Sequence, residues 1–432
     1  MIAVVFKGKA TVPQVSQRRR NTVASTIGNV LEWYDFAVYG ALATTIGKLF
    51  FPADNALDSL LASFTVFAVG YAARPIGGIL LGHIGDRVGR KTALILSITV
   101  MGIASLLVAL LPTHAQIGSA AAICMVVLRL VQGLAVGGEY PASIVFLAEH
   151  APDRQRGLFT SWPMFGSVLG FLLGVGSAAL LNAWLGTAGV DAWGWRLLFF
   201  LGAGIAVLGA VLRSQLSEPA ASMSVKQEKT IPIVIAFRDH WREILRIMGL
   251  TVVNAVGFYM LWAYATSYLT GRMHVTTSAA LDINTFSLAA MAAMVPLAAM
   301  LADRIGRKPL LYFVALGTLV SAYPLWSLMH HQDLRLVLLA QTGFALLYAA
   351  GYAGLSAVMA EILPAGVRCS AASIGYNLCM AVFGGTTPLV ATYLITRTSD
   401  DYLPAYYLMA AACISLVAVF SLKETAGKPL RR

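Results

Sequence analysis

Charge is scarce in this 432-residue chain: 12% of residues are Asp, Glu, Lys or Arg, against 58% hydrophobic, where soluble domains carry roughly 25% charged residues. That deficit argues against an ordinary soluble domain. Cysteine is nearly absent as well. Cys124, Cys369, Cys379 and Cys413 share no metal-ligand spacing and fall in or beside apolar segments, which argues against a disulfide framework or a zinc site. The seven histidines all lie near the ends of apolar runs, so a histidine relay inside a membrane is not expected and proton chemistry there falls to carboxylates. No nucleophile–base constellation, metal motif or phosphate loop points to an enzyme. The N-terminal run MIAVVF is too short for a signal peptide and no small-residue cleavage site follows it, so the N-terminus is expected to be retained.

What the chain has instead is long apolar runs, of roughly 20 residues each, the length that spans a hydrocarbon core of about 30 Å. They predict an all-α membrane protein of about twelve transmembrane helices, at 22–47, 59–82, 92–111, 117–148, 158–184 and 195–216, then 244–271, 279–301, 310–330, 335–361, 371–396 and 402–422. Two patterns recur half a chain apart. The charged turn at 82–91, GHIGDRVGRK, returns as DRIGRK at 303–308, and Ala-Glu-x-x-Pro-x-x-x-Arg occurs at 148–156 and again at 360–368. The reading is a duplication: a six-helix bundle over 1–216, a polar linker over 217–243 and a second bundle over 244–432.

Net charge is +11, which raises nucleic acid as a partner, but the distribution argues against it. Twenty-four of the 31 Lys and Arg fall on one side of the predicted spans. This is the positive-inside asymmetry of a multi-span protein with both termini and the linker in the cytoplasm.

The chain resembles the major facilitator superfamily, on the G-x-x-x-D-R-x-G-R-K turn between the second and third spans and its weaker copy between the eighth and ninth. More narrowly, Gly28-Asn29-Val-Leu-Glu32-Trp33-Tyr34-Asp35-Phe36, Arg74-Pro75-Ile-Gly77-Gly78, Gln132-Gly133 with Gly137-Gly138-Glu139-Tyr140, and Trp193-Gly194-Trp195-Arg196 resemble the metabolite:proton symporter family. That resemblance covers essentially the whole chain. It implies proton-driven uptake of a small organic acid or zwitterion (citrate, 2-oxoglutarate, shikimate, proline, betaine) by a monomeric unit in a bacterial inner membrane. It also implies a proton gradient as energy source and no cofactor. Pro404-Ala-Tyr406-Tyr407-Leu-Met409 and the tail Lys423-Glu-Thr-Ala-Gly-Lys-Pro429-Leu are most similar to the proline/betaine branch, whereas Arg129 stands where that branch tends to have Lys.

A charge at the bilayer centre costs at least a few kcal/mol, so each one needs a reason. Glu32 lies 12 residues beyond Arg20, about 18 Å along a helix, and Asp35 shares its face. Two such carboxylates repel unless one carries a proton, so Glu32 and Asp35 are the candidate proton sites, with Glu139, beside Pro141, a third. The alternative is permanent pairing with basic residues. Arg129, a fixed positive charge able to hold a carboxylate bidentately, heads the candidate substrate contacts. The others are Gln132, Tyr34, Tyr39 and Tyr140 in the first half and Asn254, Tyr259, Trp262, Tyr376 and Asn377 in the second. Arg74 is expected near the end of its helix, snorkelling in a structural role. The charged turns are read as gates: Asp86, Arg87, Gly89, Arg90 and Lys91, with Asp303, Arg304, Arg307 and Lys308, and the Glu149/Arg156 and Glu361/Arg368 copies. Two other readings stay open, a multidrug:proton antiporter on the same fold and a transport-dead nutrient sensor.

Overall fold

The computed structural model describes residues 14–54, 56–216 and 232–431; most of the expected linker, 217–231, lies outside them. Among the described residues there is no strand and there are twelve long helices. The first six are α1 (Gln14–Ala41), α2 (Ala56–Arg87), α3 (Arg90–Leu110), α4 (Ala120–His150), α5 (Arg156–Gly189) and α6 (Trp195–Ser214). The remaining six are α7 (Trp241–Phe258, continued through a π-helical turn at Tyr259–Tyr264 and then Ala265–Gly271), α8 (Thr277–Ile305), α9 (Arg307–Leu328), α10 (Leu334–Glu361), α11 (Arg368–Cys379, a π-helical turn at Met380–Gly384, then Thr387–Thr398) and α12 (Leu403–Ser421). All twelve overlap the expected spans. A short helix, Pro232–Asp239, precedes α7 and packs against α2 and α11.

Among the described residues, ten stretches are long and apolar enough to cross a membrane; one, Asp153–Ser214, takes in both α5 and α6 around a break at Gly186. The outer surface is apolar too: Leu180, Val320, Leu389, Val417 and Phe420 are 70–76% exposed, as side chains facing lipid should be. This is a multi-pass membrane protein.

Within the first half α1 lies along α5, α2 along α4 and α3 along α6; in the second, α8 lies along α10 and α9 between α10 and α12. Close approach requires glycine. A Cβ on Gly137 would overlap the Arg74 carbonyl of α2, and one on Gly170 would overlap the Val30 carbonyl of α1. In lipid, such small residues let backbones touch where no hydrophobic force drives helices together. The halves meet through α2 against α11 and α5 against α8, a pseudo-twofold arrangement. The two charged turns are tight for a shared reason: Gly89 has φ +142° and Gly306 φ +107°, backbone that only glycine adopts without strain.

Candidate functional site

The buried carboxylates of the first half each find an arginine from a different helix. Glu32 on α1 pairs with Arg74 on α2 at 3.0 Å. Asp35, one turn further along α1, pairs with Arg129 on α4 at 3.2 Å and accepts hydrogen bonds from Gln132 Nε2 at 2.7 Å and Ser105 Oγ at 2.9 Å. Arg129 lies 3.7 Å over the Tyr39 ring, and Tyr39 in turn donates to the Ser63 carbonyl. Glu139 on α4 is held by both Nη groups of Arg213, by Ser97 at 2.7 Å and by Ser143 at 3.2 Å. The expected Glu32–Asp35 pair is therefore divided between two ion pairs.

Arg74 corrects its expectation. Its helix runs on to Arg87 instead of ending near residue 82, so Arg74 lies more than three turns inside and is 1% exposed. It is no snorkelling anchor. Arg213, one residue from the end of α6, is fully buried against Glu139. Sequence reasoning missed both partners; the signal available was three mid-span carboxylates with only one arginine assigned to them.

The Glu32–Arg74 pair sits where the halves meet. Arg74 lies 5.3 Å from the Tyr71 ring centre. Tyr71 meets Tyr259 of the α7 π-turn edge-on, with ring centres 5.8 Å apart. Tyr140 stacks on Tyr376 of α11 at 4.8 Å and approaches Ser356 Oγ at 3.3 Å, and Trp33 meets Phe258 at 5.1 Å. Asn377 donates across the seam to the Gly137 carbonyl. Of the remaining candidates, Tyr34 donates to the Leu198 carbonyl and Trp262 to Ser287, each within its own half, whereas the buried side-chain amide of Asn254 meets no hydrogen-bond partner and only its backbone carbonyl accepts, from Tyr352.

At the charged end, the duplicated turns cross over. Asp86 at the end of α2 accepts from the backbone N–H groups of Cys369 and Ser370, at 3.0 and 2.7 Å, on the first turn of α11. Asp303 at the end of α8 accepts from Gly157 and Leu158, at 2.8 and 2.9 Å, on the first turn of α5. Each carboxylate thus caps a helix of the opposite half, where the free N–H groups and helix dipole favour negative charge. The second repeated pattern swaps partners likewise: Glu149 pairs with Arg368 at 2.6 Å and Glu361 with Arg156 at 3.0 Å. Arg90 joins Asp86 and Glu149, and Arg307 joins Asp303 and Glu361. Arg87 and Arg304 are exposed, Lys91 donates to the Ser214 carbonyl, and Lys308 lies 5.7 Å from the Tyr312 ring centre.

The C-terminal tail adds a third cap that the sequence did not reveal. Glu424 accepts from the N–H groups of Arg307 and Lys308, both at 3.0 Å, at the start of α9. Partial burial pushes its carboxyl up, but backbone hydrogen bonds from Ala426, Arg307, Lys308 and Thr425 outweigh it and hold the group below its ordinary range.

Comparison with known proteins bears on this architecture. A model of the sugar (and other) transporter family matches residues 21–230 and 220–432. The chain is 34% identical over 434 residues to the glycine betaine/proline/ectoine/pipecolic acid transporter OusA of Dickeya dadantii, covering 98% of this chain and 86% of that protein. It is 32% identical over 442 residues to the proline/betaine transporter of Salmonella typhimurium, covering 100% and 88%. Among solved structures, the proton:xylose symporter XylE bound to 6-bromo-6-deoxy-D-glucose superposes with a TM-score of 0.80 at 20% identity, over 96% of this chain and 98% of that one. The human organic anion transporter MFSD10 gives 0.68 at 16% identity, over 94% and 99%.

Proposed function

This chain belongs to the major facilitator superfamily, through its sugar (and other) transporter family; it is a membrane transporter of small solutes and not an enzyme, and we propose that it imports a small zwitterion together with protons by alternating access. The relatives are named for betaine, proline, ectoine and pipecolic acid, compounds that join a carboxylate to a cationic nitrogen. Among the solutes the family resemblance implies, the zwitterions fit these names and the di- and tricarboxylates do not.

The observation that carries proton coupling is the Asp35–Arg129 pair, buried within the first half and ringed by Gln132, Ser105 and Tyr39. A proton on Asp35 removes the charge that holds Arg129 in place. Arginine cannot give up its own proton there, so the site gains a fixed positive charge until the proton leaves. Loading and unloading Asp35 thus changes the charge balance at the core of the bundle, and with it the balance between the two access states.

The crossed caps supply the other half of the cycle. Asp86 on α11 and Asp303 on α5 join the halves at one end, which the positive-charge asymmetry assigns to the cytoplasm. With those contacts made, that end is shut; inward opening must break both caps and the swapped Glu–Arg pairs. The functional unit is one chain in a bacterial inner membrane, both termini and the linker on the cytoplasmic side.

The test is uptake into proteoliposomes of the purified protein, with an imposed proton gradient and radiolabelled betaine, proline, succinate, citrate and shikimate. Concentrative uptake of betaine or proline that collapses with a protonophore supports the reading. Concentrative uptake of a di- or tricarboxylate instead, or zwitterion uptake indifferent to the protonophore, overturns it.

A further inference from the structure

We propose that the Glu32–Arg74 pair is a zwitterion clamp: Arg74 takes the solute's carboxylate, while Glu32 and the rings of Tyr71, Tyr259 and Tyr376 take its cationic nitrogen. The assignment rests on the solute class proposed above.

Hydrogen bonding distinguishes this pair first. The Asp35 carboxylate accepts from three side-chain donors and Glu139 from four, although Nε and Nη2 of Arg129 meet no hydrogen-bond partner. Glu32 and Arg74 are as deeply buried, each 1% exposed, yet apart from their own ion pair and the approach of the Tyr71 hydroxyl to Arg74, no well-aligned hydrogen-bond partner meets either carboxylate oxygen or the guanidinium nitrogens. A guanidinium offers five N–H donors and a carboxylate about four acceptor positions. Leaving them unmet in a buried site is costly. The pair has capacity that the protein itself does not fill.

Location points the same way. Asp35–Arg129 joins α1 to α4 and Glu139–Arg213 joins α4 to α6, both inside the first half. Glu32–Arg74 instead faces the seam: the Tyr71 ring of α2 lies 5.3 Å from the guanidinium, Tyr259 of α7 meets that ring edge-on, and Tyr376 of α11 stacks on Tyr140 across the same seam. A solute held there touches both halves, as a transported molecule must.

Charge then selects the solute. The empty pair is net neutral. A zwitterion entering between the partners replaces one ion pair with two and leaves the buried site neutral. A dicarboxylate would add uncompensated negative charge and a simple cation uncompensated positive charge, each at a cost of several kcal/mol per buried ion. Aromatic faces suit a quaternary or secondary ammonium, which has few or no N–H groups to satisfy. Because Glu32 and Asp35 are one turn apart on α1, drawing Glu32 toward the solute also acts on the helix that carries the proton site.

The experiment measures equilibrium binding to the full-length protein in detergent, using three ligands of like shape: betaine, tert-butylacetate (the carboxylate without the cation) and choline (the cation without the carboxylate). Proline, cyclopentanecarboxylate and pyrrolidine form a second set. The wild type should prefer each zwitterion by about tenfold or more over both analogues. Glu32→Gln leaves the site positive, so the gap between zwitterion and carboxylate should close by about tenfold; Arg74→Gln should close the gap to the cation instead. Arg74→Lys and Glu32→Asp, which keep the charge, should weaken zwitterion binding without changing the ranking, and they serve if the neutral variants do not fold. Neutral variants that lose all three ligands in proportion, or folded charge-keeping variants that bind as the wild type does, overturn the clamp. A wild type that binds dicarboxylates and no zwitterion overturns the solute class itself, which separates the two failures.

Discussion

Two ion pairs stand one turn apart on α1, and they differ in what surrounds them. Asp35–Arg129 is enclosed by Gln132, Ser105 and the Tyr39 ring within the first half. Glu32–Arg74 lies at the seam with unfilled hydrogen-bonding capacity and aromatic neighbours from both halves. A saturated, enclosed carboxylate suits a guest as small as a proton; an unsaturated pair at an interface suits a guest with two charged ends. The third pair, Glu139–Arg213, extends the series: it is saturated, sits away from the seam, and fits a permanent brace.

That ordering is open to attack by mutation. The largest effect on folding is expected at the brace. Glu139→Gln strands Arg213 as a buried unpaired charge, which typically costs about 3–5 kcal/mol; thermal unfolding in detergent should show a marked loss, and Glu139→Gln/Arg213→Met should recover much of it. If the single variant is as stable as wild type, Glu139 is no brace. Next comes Arg129→Lys, which keeps the charge but loses the planar fork. It should lower concentrative uptake severalfold while unfolding nearly as the wild type does.

A smaller and different effect is expected at the caps. Asp86→Asn weakens the cross-half contact to α11 without touching either central pair. Uptake should fall while betaine binding in detergent survives, and a Cys introduced near the charged end should label faster. Loss of binding together with uptake would tie the turn to the solute site. The smallest effect belongs to Glu424. Its carboxyl is held below the ordinary 4.5 in the folded protein, so the anchoring it contributes is fully present above that value and is lost as pH falls through the lowered one. Proteolysis of the tail should therefore be pH-independent near neutrality and accelerate in acid. Glu424→Gln should raise the neutral rate modestly and flatten the acid response.

Much of this architecture is legible in the sequence, because apolar run length and the duplicated turns are one-dimensional signals. The twelve spans and the DRxGRK turns are of this kind. Pairing is not: Glu32 and Asp35 share a face by spacing, yet α2 and α4 each supply one arginine, and nothing in linear order says which helix will lie beside which side of α1. The burial of Arg74 is hidden because charge at 86–91 masks the helical continuation to Arg87; that of Arg213 is hidden because it stands one residue from a helix end, like a flanking anchor. The crossed caps follow the same rule. The sequence exposes Asp86 and Asp303 as carboxylates amid basic turns, but that each caps the other half's helix requires the pseudo-twofold packing. The π-turns at 259–264 and 380–384 have no clear signal in periodicity at all.

The division of labour on α1 is tested most directly by comparing Asp35→Asn with Glu32→Gln in betaine counterflow and in proton-driven accumulation, in the same proteoliposomes. Asp35→Asn should abolish accumulation and keep counterflow, since exchange of solute need not release the proton. Glu32→Gln should lose both, because the clamp that holds the solute is broken. An Asp35→Asn protein that still concentrates betaine, or a Glu32→Gln protein that exchanges it at the wild-type rate, would contradict the account.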